Sequence, residues 1–222
     1  MDKIIKNRLG NDKNKEKLIA SIEKIARTAR FTYVRQPEPL GLGHAVWMAE
    51  HTIGKEYFGI MLPDEIFITK QPAMKQLAEI ARQQRATVIA VREVPMEQVS
   101  SYGIVDIKKQ ITPKLFQVSS LIEKPDQKDA PSNLAIVGRY ITSHKLFNSL
   151  KELSVYTDGE LQLTDGLSHM LQEGERVFAY KIDGIRHDIG NPLGWTKAVI
   201  DVALHNPRHA KQIREFLKDR II

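Results

Sequence analysis

Two aspartates lie in turns at the ends of apolar runs that read as strands. Asp64 follows the run 57–62, and Asp188 lies beyond Val177–Lys181, just before a helix N-terminus. A carboxylate pair at strand ends suits Mg²⁺, which takes one or two carboxylate ligands from a protein and completes its shell with phosphates and water. A turn or capping role explains Asp64 equally well. His187 has no partner at a metal-ligand spacing and is interpreted as structural.

A glycine-containing loop, 36–45, connects a predicted strand to a predicted helix. Gly41 and Gly43 stand two residues apart in it, so backbone N–H groups there could meet an anion or a base edge. A tight turn with glycines at positive φ accounts for the same spacing. Both interpretations remain open on the sequence.

Charged residues also end a later predicted strand, where Glu123-Lys124 follows the run 115–122. A lysine at this place can neutralise a phosphate, and the glutamate can accept hydrogen bonds from sugar hydroxyls. An exposed surface pair is the alternative. Glu160 ends the stretch Thr157-Asp-Gly-Glu, which matches a capping box, so helix initiation is its first interpretation and ligand binding its second.

Alternating helices and strands would position these residues. Continuous apolar strands separated by amphipathic helices predict an α/β domain with a mixed, mostly parallel sheet and helices on both faces. The predicted helices cover 15–30, 45–51, 72–84, 143–152, 158–173, 192–205 and 208–220. The predicted strands cover 31–35, 57–62, 86–91, 102–107, 115–122, 134–140 and 177–181.

Composition narrows the class of protein. The 222 residues contain no Cys, which excludes disulfide scaffolds, thiolate metal sites and cysteine nucleophiles. The net charge is +6, of which residues 1–30 carry +5 and residues 31–222 only +1. No apolar run is long enough to span a membrane, and no nucleic-acid reader motif accompanies the basic helix. We therefore expect one domain over 1–222, with 1–14 flexible, in the cytoplasm, and no nucleic-acid or membrane partner.

The order of several short motifs is more specific than any one of them. Over about residues 15–205 it resembles the bacterial UTP–glucose-1-phosphate uridylyltransferases, or UDP-glucose pyrophosphorylases. The motifs are Gly-Leu-Gly-His-Ala, Leu-Pro-Asp, Tyr-Gly-Ile-Val, Glu-Lys-Pro, Pro-Ser-Asn-Leu-Ala-Ile-Val-Gly-Arg-Tyr, Gly-Glu-Leu-Gln-Leu-Thr-Asp and His-Asp-Ile-Gly-Asn.

The resemblance implies a Rossmann-like nucleotidyltransferase fold and a role for each matching residue. Asp64 and Asp188 would hold Mg²⁺ against the nucleotide phosphates, and Asp64 and Lys124 would be the catalytic residues. UTP and glucose 1-phosphate would be the substrates and UDP-glucose a product. The implied binding residues are Gln36 and Gly41 for uracil, Gly103, Glu123, Lys124 and Asn133 for glucose 1-phosphate, and Glu160 and Gln162 in support of the sugar.

One departure from the family bears on activity. The family has a Gly-x-Gly-Thr-Arg loop, and no Gly-Thr-Arg occurs in this sequence. The resemblance therefore predicts an N-terminally truncated fold with an unpaired sheet edge, and slow or absent turnover. It also predicts a homo-oligomer or a complementing partner chain. The alternative function is a non-catalytic subunit that binds the sugar phosphate or nucleotide sugar and pairs with a full-length homologue.

Overall fold

The computed structural model describes residues 13–154 and 159–220. They fall into two compact units, one that ends at Arg35 and one that begins at Gln36. In the first, helix α1 spans Lys13–Thr28, in agreement with the predicted amphipathic helix. The prediction that 1–14 is flexible falls almost wholly outside the described residues.

The strand predicted over 31–35 is wrong. These residues have no regular secondary structure and pair with none of the described strands, and Phe31 and Tyr33 are 63% and 92% exposed. A β-rich sequence forms sheet only where neighbouring strands and burial stabilise it, and this segment has neither.

A six-stranded sheet forms the centre of the second unit, in the order β1-β6-β3-β7-β5-β4. Its strands are β1 (Phe58–Met61), β3 (Thr87–Glu93), β4 (Gly103–Gln110), β5 (Leu115–Glu123), β6 (Leu134–Thr142) and β7 (Val177–Lys181). A separate two-stranded ribbon pairs β2 (Glu65–Ile68) with β8 (Ile185–Asp188). The sequence did not predict this ribbon, because each strand has four residues and no alternating apolar pattern.

The sheet is mixed, as predicted, but it is not mostly parallel. Among the described strand pairs, β3–β7 is parallel and the others are antiparallel. The reason is the position of β6, which runs between β1 and β3 in the opposite direction. These two strands are parallel to each other but do not pair. Within the described residues β1 pairs with β6 alone, so the predicted unpaired edge is present.

Helices cover both faces of the sheet, as predicted. Alternate residues of β3 show why its sequence is continuously apolar: Ile89 packs in the larger core and Val88 in the core on the other face. The helices of the second unit are α2 (Leu42–Trp47), α3 (Glu50–Ile53), α4 (Ala73–Gln84), α5 (Lys145–Ser154), α6 (Leu163–Gln172), α7 (Pro192–His205) and α8 (Ala210–Lys218), with a 3₁₀ helix at Met96–Ser101. None of the helices in the described residues is long and apolar enough to cross a membrane.

The N-termini of α7 and α6 differ in their capping. At α7, Asn191 accepts a hydrogen bond from the Gly194 N–H at 2.8 Å, and the next residue is proline, which the first turn of a helix favours. The capping box ending at Glu160 is wrong, because α6 begins only at Leu163. The other end of that box, Thr157, lies outside the described residues.

Candidate active site

A cavity of about 300 Å³ opens between the sheet, the β2–β8 ribbon and the start of α6. Polar side chains from distant parts of the chain surround it. Its lining contains six of the predicted site residues, Asp64, Gly103, Glu123, Lys124, Gln162 and Asp188.

The two aspartates meet at one end of this cavity. The ribbon aligns Glu65 with Asp188, and the Asp64 carbonyl accepts a hydrogen bond from the Ile189 N–H at 2.8 Å. A Cβ at Gly190 would lie 3.2 Å from Oδ1 of Asp188 and 3.5 Å from Oδ2 of Asp64. Oxygens of the two carboxylates therefore lie close to the same point beside Gly190.

A buried ion pair holds the ribbon together beside these carboxylates. Arg186 donates to both carboxylate oxygens of Glu65, with Nε 2.6 Å from Oε2. Burial raises the pKa of Glu65 although Arg186 opposes the shift. Desolvation would lower the pKa of Arg186, but its hydrogen bonds with Glu65 and Tyr102 more than offset this and raise it. Both groups stay close to the site, since Nη2 of Arg186 lies 3.7 Å from Oδ2 of Asp188.

The opposite end of the cavity contains Glu123 and Lys124. Glu123 pairs in register with Gly103, where a Cβ would lie only 3.0 Å from its carboxylate, and it accepts a hydrogen bond from Thr164 at 2.6 Å. Lys124 has a φ of 45°, a backbone conformation that residues other than glycine rarely adopt. Its Nζ lies 3.9 Å from Oε1 of Glu123. The strand end thus presents one carboxylate and one ammonium group side by side.

Tyr102 connects the two ends of the cavity. Its carbonyl accepts a hydrogen bond from the Lys124 N–H at 3.0 Å, and its hydroxyl lies 3.5 Å from Oδ2 of Asp188. The guanidinium of Arg186 stacks over its ring at 5.1 Å from the centroid. Tyr102 therefore contacts both the carboxylate pair and the Glu123-Lys124 end.

Gln36 and Gly41 are placed together, but they do not line this cavity. The Gln36 amide donates to the Gly41 carbonyl at 3.1 Å and lies 3.0 Å from Nδ1 of His44. Gly41 has φ of 96°, and a Cβ there would lie 2.6 Å from the Leu161 carbonyl oxygen. Gly41 thus has the positive φ predicted for a tight turn, whereas Gly43 does not, because it lies in α2.

Two further predicted site residues lie outside the cavity lining. Asn133 donates its amide to the Val94 carbonyl at 3.2 Å, so that hydrogen bond connects the residue after β3 with the residue before β6. Glu160 accepts a hydrogen bond from Gln162 at 3.0 Å and reaches the cavity only through it. His187 is not part of the cavity lining, and its Nε2 lies 2.9 Å from an Asp201 carboxylate oxygen on α7.

Four residues at the site were not predicted, namely Glu65, Tyr102, Thr164 and Arg186. All four stand within two residues of residues that were chosen: Glu65 follows Asp64, Tyr102 precedes Gly103, Arg186 is two residues before Asp188, and Thr164 is two residues after Gln162. Proximity in sequence was their only signal. The contact of Thr164 with Glu123 joins residues 41 positions apart, so it left no local pattern.

The carboxylate pair fits a divalent cation that also binds phosphate oxygens. Asp188 keeps its Oδ1 oriented through a hydrogen bond from the Gly190 N–H at 3.0 Å. Within 13–154 and 159–220 no cluster of three or more His, Asp or Glu could hold a metal. Two carboxylate ligands leave most of the coordination shell to phosphates and water, which is the usual arrangement for Mg²⁺.

Comparisons with known proteins show the family to which the chain belongs. The model of the family described as nucleotidyl transferase matches residues 5–203. A UTP–glucose-1-phosphate uridylyltransferase of Bacillus subtilis (strain 168) is 38% identical over 207 residues, which are 93% of this chain and 70% of that protein. A UTP–glucose-1-phosphate uridylyltransferase of Staphylococcus saprophyticus is 39% identical over 93% of this chain and 71% of its own length.

Solved structures of UDP-glucose pyrophosphorylases are also similar to this chain. A UDP-glucose pyrophosphorylase complexed with UDP-glucose superposes with a TM-score of 0.77 and 32% identity, over 95% of this chain and 74% of that one. A UTP-bound UGPase from Acinetobacter baumannii superposes with a TM-score of 0.78 and 31% identity, over 94% of this chain and 73% of its own.

Proposed function

We propose that this chain, which belongs to the nucleotidyl transferase family, acts as a UTP–glucose-1-phosphate uridylyltransferase. In this reaction a phosphate oxygen of glucose 1-phosphate forms a bond to the α-phosphorus of UTP. The bond from that phosphorus to the oxygen bridging to the β-phosphate breaks, and this oxygen leaves on pyrophosphate. The products are UDP-glucose and pyrophosphate.

The observation that carries the proposal is the position of Tyr102. It joins a carboxylate pair suited to nucleotide phosphates to a Glu-Lys pair suited to a sugar phosphate, through hydrogen bonds of 3.5 Å to Asp188 and 3.0 Å to Lys124. A reaction between two phosphate esters needs such fixed spacing, because positioning and charge neutralisation supply most of the catalysis.

The chain's own residues then divide the task. Lys124 neutralises the phosphate of glucose 1-phosphate, and the Glu123 carboxylate accepts hydrogen bonds from the sugar hydroxyls. Asp64 and Asp188 would hold Mg²⁺, which when bound would screen the phosphate charges. Gln36 and Gly41 recognise uracil, supported by the hydrogen bond that fixes the Gln36 amide. Asn133 and Glu160 act through the hydrogen bonds that hold the strand end and Gln162 in place.

An assay with one variant from each end of the cavity tests the proposal. The full chain is mixed with UTP, glucose 1-phosphate and MgCl₂, and both UDP-glucose and pyrophosphate are quantified. We expect Asp188→Asn and Lys124→Met to lower the rate by about 10²-fold or more, since each removes charge stabilisation of the transition state. Lys128→Met is the matched control, because Lys128 is exposed on the same segment and away from the cavity.

Two outcomes distinguish this function from its alternative. Formation of UDP-glucose and pyrophosphate in equal amounts supports a uridylyltransferase, provided that Asp188→Asn abolishes it and Lys128→Met does not. Calorimetric binding of glucose 1-phosphate or UDP-glucose without pyrophosphate release at any enzyme concentration overturns it in favour of a binding subunit. The oligomeric state and the cytoplasmic location stay predictions.

A further inference from the structure

A buried hydroxyl fixes one oxygen of the Glu123 carboxylate. Oγ1 of Thr164 donates to Oε2 of Glu123 at 2.6 Å, and Thr164 is only 7% exposed. A hydrogen bond to an ionised carboxylate is stronger than one between neutral groups. It therefore holds this glutamate in one rotamer.

The Glu123 carboxylate occupies space beside Gly103 that a side chain at position 103 would fill. A Cβ at Gly103 would lie 3.0 Å from Oε2 of Glu123 and 3.1 Å from Oγ1 of Thr164. Oε2 of Glu123 is held in this corner between Gly103 and Thr164. Oε1 is therefore the oxygen that faces Lys124, and it lies 3.9 Å from the Lys124 Nζ. The hydrogen bond thus determines which carboxylate oxygen is available in the cavity.

The chemistry of the two partners also limits what they can bind. The Thr164 hydroxyl has one proton, which it gives to Glu123, and an ionised carboxylate has none. Both groups therefore offer only acceptor positions to a ligand. Such a corner favours a ligand that donates hydrogen bonds, as the hydroxyls of a sugar do, and disfavours a phosphate oxygen.

The Thr164 hydroxyl is not needed to seat α6 on the sheet. Leu163 and Leu167 are 2% and 0% exposed in the core, and Ser168 donates to the Leu121 carbonyl at 3.2 Å. The next residue, Asp165, hydrogen-bonds to the Gln162 backbone at the helix start. These contacts fix the helix whether or not residue 164 carries a hydroxyl.

We propose that Thr164 is a positioning residue that orients Glu123 to receive the hydroxyls of the sugar phosphate. This deepens the proposed function and rests on it for the identity of the sugar phosphate. Without the hydroxyl, the Glu123 carboxylate can rotate. Its conformational entropy is then lost only when the ligand binds, and this loss weakens binding. UTP binding does not use this corner and is unaffected.

The test compares Thr164→Val, which keeps the shape but removes the hydroxyl, with Thr164→Ser, which keeps the hydroxyl. Isothermal titration of the full chain measures affinity for glucose 1-phosphate and, separately, for UTP with MgCl₂. We expect Thr164→Val to weaken glucose 1-phosphate binding about tenfold. Thr164→Ser stays within about twofold of wild type, and both variants bind UTP as wild type does.

A second comparison separates positioning from a general structural effect. In a Glu123→Ala background, Thr164→Val should weaken glucose 1-phosphate binding by less than about twofold, because the acceptor that the hydroxyl orients is gone. Any of three results would overturn the proposal. Thr164→Val could bind glucose 1-phosphate as tightly as wild type, or Thr164→Ser could bind it as weakly as Thr164→Val. The third result is an equal loss of affinity for UTP and for glucose 1-phosphate.

The result also distinguishes this inference from the proposed function. A wild-type chain that binds glucose 1-phosphate with this Thr164 dependence, but releases no pyrophosphate, refutes the uridylyltransferase function and leaves the positioning role intact. A chain with uridylyltransferase activity and no Thr164 dependence refutes the positioning role alone. A wild-type chain that does not bind glucose 1-phosphate overturns both.

Discussion

The substitution Arg186→Met tests the buried ion pair of the β2–β8 ribbon. Arg186 and Glu65 each have side chains only 9% exposed, and two hydrogen bonds join them. Methionine fills similar space but leaves the Glu65 carboxylate buried without a counter-charge. We expect this to destabilise the fold by about 3–5 kcal/mol, the usual cost of removing one partner of a buried pair. For a chain of this size that lowers Tm by about 6–20 °C.

The pH dependence of this loss has a definite sign. Burial already raises the pKa of Glu65 above 4.5, and removal of Arg186 takes away the opposing hydrogen bonds and charge. The folded variant then binds a proton at Glu65 more tightly than the unfolded chain does. Its stability therefore falls as pH rises through the interval between these two pKa values. The loss relative to wild type should be larger at pH 8 than at pH 5.

Thermal and urea unfolding followed by circular dichroism at both pH values provide the assay. The matched control is Glu65→Met/Arg186→Met, which removes both charges and should recover most of the lost stability. A Tm of Arg186→Met within about 3 °C of wild type at pH 8 would refute the reasoning. The reasoning is also refuted if the double variant loses more stability than the two single variants lose in sum.

Three further substitutions address single features of the site. Gly103→Ala should weaken glucose 1-phosphate binding by about tenfold or more in calorimetry, because its Cβ would lie 3.0 Å from Oε2 of Glu123; unchanged affinity contradicts the packing. Asn191→Ala removes the cap on α7 and should cost about 1 kcal/mol in urea unfolding, whereas Asn191→Asp keeps an acceptor and should cost less. Lys124→Gly relieves a φ of 45° and should leave stability equal or higher by up to about 1 kcal/mol while sugar-phosphate binding falls; a loss of stability would show that this conformation is not strained.

The sequence predicted the main sheet well because its strands are long and apolar. β7 was predicted to the residue, and β3, β5 and β6 differ from their predictions by at most two residues at each end. The ribbon of β2 and β8 was missed because its stability comes from the contact of Glu65 with Arg186, which are far apart in sequence. The direction of the strands was missed for a related reason, since the insertion of β6 between β1 and β3 leaves no local pattern.

The candidate site was predicted in part. Asp64, Asp188, Glu123 and Lys124 could be chosen because strand ends are recognisable in sequence, and the fold brings them into one cavity. What could not be predicted were the side chains that orient them. Arg186, Tyr102 and Thr164 act through contacts between separate elements, and such contacts exist only once the chain is folded.

The measurement that tests the shared cavity most directly is a competition experiment with UDP-glucose. UDP-glucose contains both the uridine and the glucosyl group, so it should occupy the carboxylate end and the Glu123-Lys124 end together. We predict that the chain saturated with UDP-glucose and MgCl₂ gives no calorimetric binding of UTP or of glucose 1-phosphate. Binding of either substrate to the saturated chain, at the affinity measured without UDP-glucose, would contradict a single site that takes both.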